Sequence, residues 1–223
     1  MGAAIGQSLP VAVGVLVSPL PIVAVVLMLV SERARSNALA FIVGWFLAIL
    51  VLVGAVALLA GFAPDDDGGP AAWTGWLKIV LGVLLLLLSV RQWRGRPRGD
   101  AEPQAPKWMA AIDQFTPVRS AGLAVLLGAV NPKNLLLVVS GGAAIADSAP
   151  GDTSATVVAA LVFAVVASAG VVAPVVIYFS MGTRAAAILD ELKSWMIRNN
   201  AAIMAVLLLI LGAKMLGDGI STL

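Results

Sequence analysis

Ala129-Val130-Asn131-Pro132-Lys133-Asn134-Leu135 stands near the middle of a long apolar run, and its reading decides the fold. It places a lysine, two asparagines and a proline where a membrane span should carry only hydrocarbon. A charge at bilayer mid-depth costs at least ~2.5–3.5 kcal/mol on insertion scales, so it is seldom there without a use or a partner. Pro132 removes a backbone donor and disturbs the carbonyl one turn back, which predicts a broken or kinked helix. A second such stretch, Val17-Ser18-Pro19-Leu20-Pro21, lies near the N-terminus. Val-Ser-Pro-Leu-Pro and Val-Asn-Pro-Lys-Asn share a Val-x-Pro frame, each in the middle of an apolar run. Interrupted hydrophobic segments at matching places in two halves point to a transporter's substrate site.

Outward from these stretches, the chain of 223 residues is 61% hydrophobic and 12% charged, with mean hydropathy +1.02. Several runs reach the ~20 residues that a spanning helix needs. The expected class is an all-α, polytopic membrane protein with six transmembrane helices, at about 4–30, 38–61, 75–92, 120–146, 154–181 and 200–217. The N-terminus lacks the basic segment of a signal peptide and reads as the start of the first span. Ala63-Pro64-Asp65-Asp66-Asp67-Gly68-Gly69-Pro70 is a strong breaker between spans 2 and 3, and Trp73 and Trp76 follow where an interfacial aromatic belt would fall. In the polar segment after span 3, Trp108, Met109, Ile112 and Phe115 share one helical face, which suggests a short helix on the membrane surface. Residues 183–199 are amphipathic, with Ile188, Leu189, Leu192, Trp195 and Met196 opposite Arg184, Asp190, Glu191 and Lys193.

The basic residues set the orientation. Loops after spans 1, 3 and 5 hold Arg33 and Arg35, then Arg91, Arg94, Arg96, Arg98, Lys107 and Arg119, then Arg184, Lys193 and Arg198. Loops after spans 2 and 4 hold only Asp65, Asp66, Asp67, Asp147 and Asp152 as charges. Positive-inside bias makes the former cytoplasmic and leaves both termini outside. Three spans per half then turn the second half over, so residues 1–92 and 120–223 read as an inverted repeat joined by a cytoplasmic linker at 93–119, with helices 1 and 4 broken.

Without His or Cys the chain has no imidazole or thiolate metal site, no Ser-His or Cys-His pair and no disulfide. No Asp or Glu falls inside a span, which argues against a carboxylate cation site and a carboxylate proton relay. The expectation is therefore no enzyme, no cofactor and no metal. The candidate substrate-binding residues are Ser18, Pro19, Pro21, Asn131, Pro132, Lys133 and Asn134. Lys133 lies about a dozen residues from either end of its span, ~18 Å at ~1.5 Å per residue, too far to snorkel. Its competing role is structural, held by carbonyls of the broken helix. Pro21 can open a new half-helix, with Ser18 or Leu20 in the break. Asn131 and Asn134 can bond the backbone that Pro132 frees. Two half-helix N-termini at one depth, with free N–H groups and Lys133 beside them, should attract an anion. Ser168, Ser180 and Tyr178 are alternatives for a cavity lining, although hydroxyls in spans more often bond their own backbone.

The Ser-Pro-x-Pro break in span 1 and Asn-Pro-Lys in span 4, in six spans of two halves, resemble the LysE superfamily of exporters. Gly6-Gln7-Ser8-Leu9-Pro10-Val11-Ala12-Val13-Gly14-Val15-Leu16-Val17-Ser18-Pro19-Leu20-Pro21-Ile22 and Gly128-Ala129-Val130-Asn131-Pro132-Lys133-Asn134-Leu135-Leu136 resemble more closely its actinobacterial GAP family. These are the glycopeptidolipid and sulfolipid addressing proteins of mycobacteria. The resemblance covers nearly the whole chain. It implies a plasma-membrane protein that helps move cell-envelope glycolipids outward. The partners to expect are membrane lipids, an envelope glycolipid substrate, a larger lipid-export machine and a second copy, with no nucleic acid. The chain lacks the intramembrane acidic motifs of the superfamily's cation-handling branches. The other readings are a small-solute exporter of the amino-acid type and a scaffold that does not itself transport.

Overall fold

A computed structural model describes residues 1–61, 72–96, 111–112, 114–181 and 183–223. Among them the regular structure is helical: α1 Gly2–Leu16, α2 Pro19–Leu29, α3 Ala34–Gly61, α4 Ala72–Arg94, α5 Pro117–Val125, a π turn Leu126–Val130, α6 Pro132–Ser148, α7 Thr153–Met181 and α8 Thr183–Ile220. The acidic breaker and Trp108 and Met109 of the expected surface helix lie outside the described residues. Of the two described residues on that helix's apolar face, Ile112 is buried and Phe115 partly so.

Three stretches are each long and apolar enough to cross a membrane: Ala34–Ala60, Thr153–Met181 and Ala187–Ile220. Two bent pairs pass the same test together, Gly2–Leu16 with Pro19–Leu29 at 52° and Pro117–Val130 with Pro132–Ser148 at 64°, and bring the number to five if each pair is one span. Both bends fall where the two Val-x-Pro frames put them. α8 corrects the division made at its start. The amphipathic segment 183–199 and the apolar segment 200–217 are one helix of 38 residues. That is ~57 Å at ~1.5 Å per residue, against a hydrocarbon core of ~30 Å.

The helices gather into two compact units. The first comprises residues 1–62 and 104–197. In it α3 packs along α5, α6 and α7, and α1 along α6 and α7. Ala38, Phe41, Trp45, Ile49, Val53 and Ala57 recur at three- and four-residue steps on α3 and are buried. Leu39, Val43, Leu47 and Val51 on its other side are exposed and equally apolar. A helix that is apolar all round, with half of it uncovered, is suited to hydrocarbon surroundings. Close approach inside this unit depends on glycine. A Cβ at Gly141 would stand 2.3 Å from the Phe163 ring, and one at Gly142 2.7 Å from Val56. At the start of α7, the Asp152 carboxylate accepts from the Ala155 N–H at 2.9 Å and the Ser154 hydroxyl at 2.7 Å. The backbone bond first, then the hydroxyl, holds its pKa below the ordinary carboxylate value.

The second unit comprises residues 63–103 and 198–223, so α8 runs from one unit into the other. Here α4 and the end of α8 are antiparallel and meet at small residues every two turns. A Cβ at Gly75 would lie 3.2 Å from the Gly219 carbonyl oxygen, and one at Gly82 3.0 Å from that of Gly212. Ser89 continues the row by donating to the Ala205 carbonyl at 2.7 Å. Gly82 and Gly212, whose size suits close helix packing, thus face each other within one chain. Gly82→Leu is expected to destabilise the protein by about 1–3 kcal/mol, the usual cost of overpacking, because the Gly212 and Leu216 backbones cannot rotate away. Gly217→Ala on α8 faces open space and should be neutral or stabilising. Thermal unfolding in detergent compares the two; equal melting temperatures would contradict the packing.

Candidate functional site

The two breaks are built alike. Ser18 precedes Pro19 and Asn131 precedes Pro132, and the ring of a proline pushes the residue before it out of the helical region. Ser18 has φ −69°, ψ 111°, and Asn131 φ −59°, ψ 118°. In each case the proline becomes the first residue of the next helix, a position where its missing N–H costs nothing. This corrects the expectation for Pro21, which lies inside α2 while Pro19 begins it.

Span 4 breaks more elaborately. The Asn131 N–H reaches back five residues to the Leu126 carbonyl at 2.8 Å, closing the π turn. In that register the Leu127 carbonyl loses the amide that an α-helix would give it. The Asn134 side chain replaces it, donating through Nδ2 at 2.7 Å. Asn131 caps α6, its Oδ1 accepting from the Lys133 N–H at 3.2 Å. Each asparagine therefore repairs backbone exposed by Pro132, on opposite sides of the break.

Ser18 does not cap α2 with its side chain. Its hydroxyl crosses to the other break, donating to Asn134 Oδ1 at 3.2 Å and accepting from Lys133 Nζ at 3.1 Å. Ser18 and Asn134 are buried, and Lys133 is partly buried. One chain of hydrogen bonds thus runs from the ammonium through Ser18 and Asn134 to the π turn. Of the seven residues singled out, Ser18, Lys133 and Asn134 meet directly, Asn131 orders the Lys133 backbone, and Pro19 and Pro132 start the helices. Pro21 makes no polar contribution.

An ammonium has three donors, and a neutral hydroxyl takes one of them. Among the described residues no carboxylate lies within ion-pair distance of Lys133. The helix ends offer less to an anion than two bare breaks would. Pro19, Pro21 and Pro132 have no N–H, and that of Lys133 is taken by Asn131. The positive charge of the site is chiefly the ammonium itself. Among the described residues no group of three or more Asp or Glu side chains is placed to hold a metal ion. Ser168 and Ser180 bond their own helix, at the Ala164 and Val176 carbonyls, each at 2.7 Å. Tyr178 stands edge-on to Phe179.

Two supports were not legible as site residues. Trp45, fully buried on α3, donates its indole N–H to the Ala167 carbonyl at 3.4 Å. Its ring lies against Gly128 of the π turn, where a Cβ would approach to 3.3 Å. Its one sequence signal is that it is the lone tryptophan of span 2. Gly170 on α7 receives the Leu16 carbonyl, which would lie 2.1 Å from a Cβ there. The end of α1, two residues before Ser18, rests on this glycine.

Apolar helices broken at two prolines, with the breaks joined by buried polar side chains, define a helical membrane protein with a polar site between discontinuous helices. Within that class, residues 9–221 match the sulfolipid-1-addressing protein family, Sap, and the chain belongs to it. No curated protein and no solved structure matches the chain.

Proposed function

We propose that this protein moves an anionic or strongly polar lipid across the plasma membrane, with its head group at Lys133, Ser18 and the capped breaks. The observation that carries this reading is an ammonium between two broken helices whose hydrogen-bond partner is a neutral hydroxyl. Desolvating an unpaired charge costs several kcal/mol, and an anionic head group supplies the missing counter-charge. Family membership supports a lipid as the cargo, since the family is named for addressing a sulfolipid. A cell-envelope glycolipid is the class we favour, in a protein of the LysE superfamily type without enzymatic activity. In this reading α4 supplies a sixth span, and the spans form two inverted three-helix repeats with both termini outside. The basic residues at 33, 35, 91, 94, 96, 184 and 198 support that orientation. The similar construction of the breaks at Ser18 and Asn131 supports the repeat.

The test is reconstitution of the purified protein in phosphatidylcholine vesicles doped with fluorescent phosphatidylglycerol. Loss of fluorescence to an external quencher reports movement between leaflets. Faster movement than in protein-free vesicles is expected. An inert protein would favour the scaffold reading, and movement of an amino acid without lipid would favour the small-solute exporter.

A further inference from the structure

The first unit carries a second feature that the head-group site leaves unused: an apolar cleft of about 330 Å³ along α3 and α7. Leu50 and Leu58 of α3 and Val157 and Leu161 of α7 line it, and Gly54 and Ala160 leave it room. A Cβ at Gly54 would meet nothing within 4 Å, so the space there is open. Val51, on its rim, is 67% exposed. α6 packs on α3 at Val53 and Val56 and on α7 at Phe163, so the cleft uses a separate set of residues on both helices.

We infer that this cleft holds one acyl chain of a lipid, an inference that rests on the lipid reading above and adds where the cargo's chain lies. Both lining helices are long and apolar enough to cross a membrane, and the cleft lies between residues 50–58 of one and 156–161 of the other, so it is suited to hydrocarbon surroundings. An extended peptide would bring N–H and C=O groups with nothing to bond, whereas an acyl chain brings none. A helix of a second copy, about 10–12 Å across, could enter only by its side chains. The one hydroxyl in the lining, that of buried Thr156, is taken up by the Asp152 carbonyl at 3.0 Å, so the cleft offers an acyl chain a wholly apolar bed. With no polar group free in its lining, the cleft is a place for a chain and not a second head-group site.

The experiment uses the full chain in phosphatidylcholine vesicles doped with phosphatidylglycerol that carries a diazirine on its acyl chain. After illumination, labelled peptides are mapped. Labelling of 50–58 and 156–161 should exceed that of the exposed α3 positions Leu39, Val43 and Leu47 several-fold. Gly54→Leu should lower it several-fold with the melting temperature unchanged, and Gly54→Ala should fall between. Labelling spread evenly over the exposed apolar positions, or unaffected by Gly54→Leu, overturns the inference. So do cross-links from the cleft to a second copy in place of lipid. Lipid movement is read in the same vesicles. Cleft labelling in a protein that moves no lipid would therefore sink the transport reading alone, and lipid movement without cleft labelling would sink this inference alone.

Discussion

Lys133→Met is expected to reduce lipid movement in reconstituted vesicles by about 10- to 100-fold while the protein remains folded and inserted. A hydrogen bond to a charged group contributes roughly 1.5–3 kcal/mol, and each 1.4 kcal/mol is tenfold. Methionine retains much of the stem volume and removes the charge. Removing a charge from a span also relieves an insertion cost, so yield and melting temperature should hold or rise. Lys133→Arg should recover part of the activity. Its planar guanidinium presents donors in a fork and not from one compact centre, and the Ser18 hydroxyl is placed for the latter. The competing role gives the opposite pattern. A lysine that only ties the two breaks together would, as methionine, lower the melting temperature and leave activity per folded molecule nearly unchanged.

Gly170→Val should be the most damaging single change to the fold near the site. Even a Cβ would stand 2.1 Å from the Leu16 carbonyl oxygen and 3.0 Å from its carbon. Gly141 is crowded to a similar degree, but by the Phe163 ring, which can turn aside at some cost. Backbone at a helix break cannot. α1 and α7 must separate, which carries Ser18, two residues beyond Leu16, away from Lys133 and Asn134. Destabilisation of about 1–3 kcal/mol or more is expected from overpacking alone, with lipid movement lost in the fraction that folds. Gly54→Ala, facing open space on α3, is the matched control and should be near neutral in melting temperature. Equal behaviour of the two would contradict the contact at Leu16.

The sequence was most readable where two local signals coincide. Proline disfavours a helical backbone at the residue before it, and a polar residue at that place in Ser18-Pro19 and Asn131-Pro132 disclosed both breaks, whereas Pro10 and Pro174 follow apolar residues and lie inside continuous helices. A lysine in apolar surroundings disclosed the place of a polar site. Which proline begins α2 was less legible. Pro19 and Pro21 both suit an N-terminus, and the choice depends on how Ser18 is drawn toward Asn134 across the unit. The division of labour between Asn131 and Asn134 was hidden for a related reason. It follows from the π turn, which shifts the free carbonyl to Leu127. The continuity of α8 was masked by its change of surroundings. Leu189 and Met196 face protein, with Met196 on Ile22 and Val23, while later residues are apolar all round. A charged first half and an apolar second half read as two helices, although neither Pro nor Gly separates them. The pairing of Gly75 with Gly219 and Gly82 with Gly212 needed knowledge of which helices meet, which spacing along one helix does not contain. The same holds for Trp45 and Gly170, whose roles are set wholly by the helix that crosses them.

The central claim is that Lys133 serves as counter-ion to an anionic head group. The most direct measurement is the melting temperature of the detergent-purified protein with added phosphatidylglycerol, against diacylglycerol of the same acyl chains. Ligand that binds only the folded state stabilises it in proportion to its affinity, so a head-group contribution appears as the difference between the two lipids. Wild-type protein should be stabilised more by phosphatidylglycerol than by diacylglycerol, and Lys133→Met should respond equally to both. A preference for phosphatidylglycerol that survives unchanged in Lys133→Met would contradict the claim.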